Sequence, residues 1–345
     1  MTGHPTPPEE KKARARRALL SRPRHEISHS SSPSPPHPSI EPAEARAAEL
    51  TRRAPRPAEP ASGTPISGGR AMPEATAQQP TASERRRMYR DLALALRCGL
   101  RDAAAGFSFL RLRGLRALLR ALRSAADADA RLFRDAQLIR DLQVVPVLFE
   151  HSLRKASDSA VVTVGQVLGI EPARLRNPAT DSEVVLALRV LEECCLLCSD
   201  CAAAAHRHNA VKVILNILMT RGILEQRACF DTLLALLVDC SENLMDFKEL
   251  EGLNKIADIV KDTNRDDHVR LKCAEFLLLY SGSAIDGYRA DSEFNMQEDL
   301  RQLFGEKCST FICSMNLFKP TLDQQVQQSE LSFLAEHVLD CMQPY

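Results

Sequence analysis

Tryptophan is missing from this 345-residue chain, and aromatic side chains make up only 5% of it. A surface that reads nucleic-acid bases needs rings to stack on them, so the shortage argues against such a role. No apolar run reaches the roughly 18 residues that a helix crossing a membrane requires. The first residues lack the charged start, apolar stretch and small-residue cleavage site of a secretory leader, and Glu9, Glu10 and Glu26 speak against an organelle transit peptide. Catalytic signatures are missing too. The chain has no G-x-x-x-x-G-K-[ST] phosphate loop, no G-x-G-x-x-G after a strand, no G-x-S-x-G elbow, no H-E-x-x-H and no kinase H-R-D and D-F-G pair. Neither an enzyme nor a cofactor is expected.

What is present divides the chain. Fifteen of its twenty prolines fall in the first 80 residues, among Ser, Ala, Arg and His. Such a segment buries too little apolar surface to offset the entropy of ordering itself. Residues 1–84 are therefore expected to be a disordered tail, and 85–345 a folded domain. The formal charge of zero conceals an asymmetry: residues 1–90 hold 16 bases against 9 acids, leaving 29 against 36 in the remainder. The tail carries Thr6-Pro7, Ser32-Pro33, Ser34-Pro35 and Thr64-Pro65. These suit proline-directed phosphorylation, although any Ser- and Pro-rich composition yields such pairs. The basic run from Lys11 to Arg17 reads as a localisation patch or as solvated charge.

The rest reads as all-α. Ser83 is expected to cap a first helix through Met88, Leu92, Leu96 and Leu100. A second spans Phe107 to Leu122, with leucines on one side and Arg111, Arg113, Arg116, Arg120 and Arg123 largely on the other. Stacking rings are not seen beside those arginines, so a solvated helix face is expected rather than a nucleic-acid site. Pro146 suits the first turn of a later helix, and an apolar stretch follows at Val161 to Ile170.

From Asp181 or Ser182, read as a cap, the sequence repeats. Leu186 to Leu218 lies over Ala228 to Val260 at an offset of 42 residues without a gap. Leu191/Leu233, Val211/Leu253, Ile214/Ile256, Ile217/Ile259 and Leu218/Val260 coincide, as do Cys198-Ser199-Asp200 and Cys240-Ser241-Glu242. A period of about 40 to 47 residues built of helix pairs is the mark of an armadillo/HEAT-like α-solenoid, whose stacked units leave a groove that binds partners. The second unit should begin near Glu225, break at Cys240 to Asn243 and resume near Asp246. A polar turn at Asp262 to Asp267 precedes a helix from His268 to Tyr280, Gly282 and Gly287 interrupt the stack, and helices near 298–316 and 325–341 close it.

The eleven cysteines sit mainly in leucine-rich stretches, where a thiol packs as a small hydrophobe. Without a secretory leader they should be reduced, in cytosol or nucleus. Cys195-x-x-Cys198-x-x-Cys201, beside Cys194, His206 and His208, has the spacing of some metal sites. Positions 194, 198 and 201 also share one face of a helix, and the aligned repeat holds Leu236, Leu237, Cys240 and Asn243, so packing is favoured and no metal is expected. His206-Arg207-His208 falls in a turn and reads as a solvated loop.

One segment resembles a known family. Asn243, Phe247, Gly252 and Leu253, followed by Val269, Arg270, Lys272, Glu275, Phe276, Leu277 and Tyr280, match the run of the cell division control protein 14 family. This is the septation initiation network component, not the phosphatase of the same name. The family's Phe-Glu is Phe247-Lys248 here. The resemblance implies a non-catalytic armadillo-like scaffold that binds a germinal-centre-type protein kinase, in the cytoplasm, at a spindle pole or centrosome, or in the nucleus. An armadillo-type chaperone cofactor that exchanges nucleotide is the alternative. Within this segment Phe247, Leu250, Leu253, Ile256, Phe276 and Leu277 have core spacing. Lys248, Glu251, Arg270, Lys272 and Glu275, with Glu249, fall on other faces and are the candidate partner-binding residues, since mixed charge sets partner choice.

Overall fold

Thr81 opens the first helix, α1 (Ala82–Ala103), with a capping box: its hydroxyl accepts from the Glu84 amide at 3.3 Å, and the Glu84 carboxylate accepts from the Thr81 amide at 2.8 Å. The cap expected at Ser83 stands at Thr81 instead, because the acid that completes the box lies three residues further on. The structure is a computed structural model that describes residues 81–128, 130–153, 178–238, 240–287, 296–314 and 324–342. The expected tail up to residue 80 and the apolar stretch 161–170 lie outside the described residues.

After α1 the chain turns into α2 (Ser108–Ala128), which returns alongside it. The two backbones meet at glycine. A methyl on Gly114 would stand 2.3 Å from the Ala103 amide nitrogen and 2.6 Å from the Gly99 carbonyl oxygen. Then come α3 (Ala130–Gln137), a single 3₁₀ turn (Arg140–Leu142) and α4 (Val144–His151), with Pro146 in the first turn as expected.

Two copies of a three-helix unit follow. The first is α5 (Asp181–Leu197), α6 (Ser199–His206) and α7 (Ala210–Thr220); the second is α8 (Ile223–Leu237), α9 (Ser241–Glu249) and α10 (Gly252–Lys261). The 42-residue offset survives in the backbone itself. Cys198 and Cys240 break their helices at φ −147° and −137°, and Asn209 and Glu251 take left-handed conformations at φ 54° and 52°. The expectation of helix pairs is thus corrected to helix triplets, since in the second unit Glu251 divides what reads as one helix. The cap of α5 is Thr180, in a capping box with Glu183, rather than Asp181 or Ser182. Beyond the polar turn at Asp262, α11 (Asp267–Gly287) runs through Gly282 without the expected break. The fold continues with α12 (Met296–Ser314) and α13 (Gln324–Cys341). Among the described residues every element is helical.

The long helices set the architecture. Arg111 and Arg123 of α2 pair with Glu183 and Glu193 of α5; the Thr232 hydroxyl of α8 donates to the Leu188 carbonyl of α5 at 3.2 Å; Lys272 of α11 meets Asp231 of α8. Early residues face early and late face late, so α2, α5, α8 and α11 run parallel, each packed on the next, with α13 against α11. The repeat's apolar positions line the core as expected: Leu191, Leu233, Ile214, Ile256, Leu218 and Val260 are buried, while Leu253 is only partly covered.

Candidate functional site

An arginine or an acid in a helix interface must be paired, because leaving water costs several kcal/mol per ion. The parallel helices show how the pairing was solved. Arg189 of α5 donates to Asp231 of α8 at 2.7 Å and to Glu192 at 3.0 Å; the Lys272 ammonium of α11 stands 2.9 Å from Asp231 and 3.0 Å from Glu275; the Ser332 hydroxyl of α13 donates to Glu275 at 3.1 Å. Charges alternate in sign across three successive helices, and the Ser332 hydroxyl of a fourth closes one continuous strip. Burial alone would lower the Arg189 pKa, but the Glu192 and Asp231 carboxylates override it and hold the guanidinium firmly charged. The side chains keep 25% exposure at Arg189, 17% at Lys272 and about 8% at Asp231, so one edge of the strip meets solvent.

Of the candidate residues, the strip takes Lys272 and Glu275 inside. Both were expected on a mixed-charge face open to a partner; Glu275 is buried and Lys272 half-buried because α8 and α13 pack against that side of α11. Arg270 is also largely covered, donating to the Val260 carbonyl at 3.1 Å and pairing with Asp267. Lys248 and Glu251 are exposed, as expected, and lie at the end of α9, apart from the strip. Reversing charge at Lys272 and Arg270 would therefore disturb folding as well as any partner contact. Arg189, Glu192 and Asp231 were not singled out from the sequence. Their signal was there: Arg189 and Asp231 occupy the same repeat position with opposite charge.

The recognisable sequence run is built inward. Phe247, Phe276 and Tyr280 form one aromatic cluster with Phe230, ring centroids 5.6 to 6.4 Å apart. A methyl at position 252 would lie 2.2 Å from the Phe247 ring, which is why a phenylalanine is followed five residues later by glycine. Asn243 is fully buried and donates to the Ala202 and Leu236 carbonyls, joining α9 to α6 and α8.

The thiols converge, though not on one helix, since Cys198 sits in the break between α5 and α6. Burial pushes the Cys194 thiol up; a hydrogen bond to Cys194 does the same for Cys201, and one to Cys201 for Cys198. They stay protonated and pack as small hydrophobes. Among the described residues no group of three or more His, Cys, Asp or Glu side chains is placed to hold a metal ion. The histidines of the turn are not merely solvated: His206 Nδ1 lies 2.9 Å from the Asp246 carboxylate, and the His208 ring stacks on Phe149 at 5.2 Å.

Residues 164–286 match the family model for Cell division control protein 14, SIN component. The matched stretch is about a third of the chain. The match bears out the resemblance drawn from Asn243 to Tyr280 and covers the charged strip from α5 to α11. A match to that family model points to septation and cell-division signalling, and to protein partners. No curated protein and no solved structure matches the chain. Among the described residues no helix is long and apolar enough to cross a membrane.

Proposed function

We propose that the chain is a non-catalytic, armadillo-like scaffold that binds a protein kinase of the germinal-centre type in cell-division signalling. The observation that carries the reading is the charged strip. Three successive helices within the matched segment, α5, α8 and α11, carry alternating charges with one edge open to solvent. A stacked solenoid lines its groove in this way, and a partner's charges would be placed in register against it.

Tagged full-length chain, purified from dividing cells at low salt, tests the reading. A germinal-centre kinase recovered in stoichiometric amount, and released as salt is raised to screen the strip's open edge, is the expected result. An Hsp70-type chaperone in its place, with accelerated nucleotide release, would establish the chaperone-cofactor reading instead.

A further inference from the structure

The first helical hairpin differs from the rest of the fold in the chemistry of its charge. Residues 81–153 hold fourteen arginines, no lysine and eight acids, whereas residues 181–345 hold fifteen bases against twenty-seven acids. Most of those arginines are on display. Arg86, Arg90, Arg97 and Arg101 fall on one outer stripe of α1, and Arg113, Arg116 and Arg120 on one of α2; all are exposed. At 1.5 Å per residue the α1 stripe extends for roughly 22 Å.

Apolar side chains interrupt both stripes. Leu94, 63% exposed, sits midway along the first, and Phe109, 66% exposed, heads the second. Phe107 stands beside Phe109 in the turn, ring centroids 6.0 Å apart, so the rings expected to be missing near these arginines are present at their edge. The stripes meet at Asp102, which accepts from Arg113 at 2.9 Å and Arg101 at 3.4 Å. Arg113 holds that carboxyl below the usual range.

A solvated helix face has no reason to look like this. Like charges one turn apart repel and cost helix stability, and lysine serves solubility as well as arginine does. Arginine and aromatics without lysine are the composition of a protein interface core. The guanidinium fork takes a carboxylate through two parallel hydrogen bonds, which an ammonium cannot do. A bilayer would want the apolar anchors gathered at one edge, yet Leu94 lies in mid-helix. A nucleic-acid strand would want rings spaced along its path, yet the two phenylalanines lie against each other.

We propose that the outer face of α1 and α2 docks an acidic segment of a partner protein, whose carboxylates pair with the arginine forks and whose apolar side chains cover Leu94, Phe107 and Phe109. The surface lies outside residues 164–286 and is independent of the kinase-scaffold reading. The test uses the full chain and three labelled probes: a helical peptide of interleaved Glu and Leu, a single-stranded RNA of equal length, and phosphatidylserine vesicles. The peptide should bind most tightly. Its affinity should fall at least tenfold in the Arg86→Gln/Arg90→Gln/Arg97→Gln/Arg101→Gln variant, and several-fold in Leu94→Ala/Phe109→Ala, which keeps every charge. All six side chains are exposed, so thermal stability should not move. Tighter binding of RNA or vesicles than of peptide overturns the proposal. So does no peptide binding, binding unaffected by the arginine changes, or a Leu94/Phe109 variant indistinguishable from the parent.

Discussion

The units 181–220 and 223–261 share a skeleton and differ in how they fill it. Cys198 and Cys240 break their helices alike, and Asn209 and Glu251 turn left-handed alike. At matching interior positions the first unit holds Ala205 and Ala210, and the second Phe247 and Gly252. A volume moved from one position to the other leaves the backbone unchanged. Glu183 and Glu225 are also equivalent, both in the first turn of a long helix, yet α2 supplies Arg111 to the first and nothing comparable reaches the second. Period and turn geometry are thus common property, while core volume and charge are settled unit by unit, according to the neighbour on which each packs.

The glutamate pair gives the sharpest way to break that comparison. Arg111 is 3% exposed and Glu183 fully buried, the guanidinium donating at 3.0 and 3.3 Å. Arg111→Leu leaves a buried carboxylate without its cation, which costs about 3–5 kcal/mol. Chemical denaturation should show the loss, and Glu183→Gln in the same chain should recover part of it. A cost below about 1 kcal/mol, the scale of a solvent-screened pair, would mean that Glu183 does not depend on α2.

Next is the exchange of volume. Gly252→Ala drives a methyl into the Phe247 ring and should destabilise by about 1–3 kcal/mol. Ala210→Gly, at the equivalent position, removes only a methyl and a little helix propensity, roughly 1 kcal/mol. Combining Gly252→Ala with Phe247→Leu should cost less than the sum of the two single changes, because both act on one contact. Strict additivity would refute the steric account of the Phe-to-Gly spacing.

These two cases show what was legible in the sequence. The 42-residue period was, because Leu191/Leu233 and Ile214/Ile256 recur in identical register and helical spacing fixes their face. The third helix was legible in the first unit, where His206 to His208 read as a turn, but not in the second. Glu251 is no turn former itself, and a left-handed residue between two short helices leaves the apolar rhythm almost intact. The charged strip was half legible. Lys272 and Glu275 stood out as charged residues off the core stripe, but a single helix has no way to reveal that α8 and α13 cover that face. Arg111 failed for the same reason: on α2 it belongs with Arg113 and Arg116, and only α5 makes it an interior residue.

A subtler test concerns the second of these glutamates. Glu225 is 3% exposed, one of its carboxylate oxygens has no partner, and burial, reinforced by the Asp181 carboxylate, raises its pKa above the ordinary 4.5. A raised carboxyl binds its proton more tightly folded than unfolded. Its contribution to stability is therefore complete below pH 4.5 and is lost as pH rises through the folded value. Glu225→Gln removes that loss. At neutral pH the variant should be more stable by about 1 kcal/mol, the scale of one unsatisfied buried polar atom, and the advantage should vanish in acid. A variant less stable than the parent at pH 7 would show that Glu225 is ionised and satisfied. The same substitution at Glu183 should destabilise, because it leaves the buried Arg111 guanidinium without its carboxylate.

The smallest effect sits at the left-handed pair. Asparagine tolerates this conformation because its short side chain bonds locally, whereas glutamate pays the full steric cost of its Cβ against the following carbonyl. Glu251 is exposed, so replacing it loses no packing. Glu251→Asn should therefore stabilise by about 0.5–1 kcal/mol, and Asn209→Glu should destabilise by a similar amount. If both changes proved neutral, the matching φ values would carry no energetic preference and the repeat comparison would reduce to shape. If Glu251→Asn gave the expected gain in melting temperature while capturing less kinase, a strained glutamate would have been kept against stability at a position where a partner reads it.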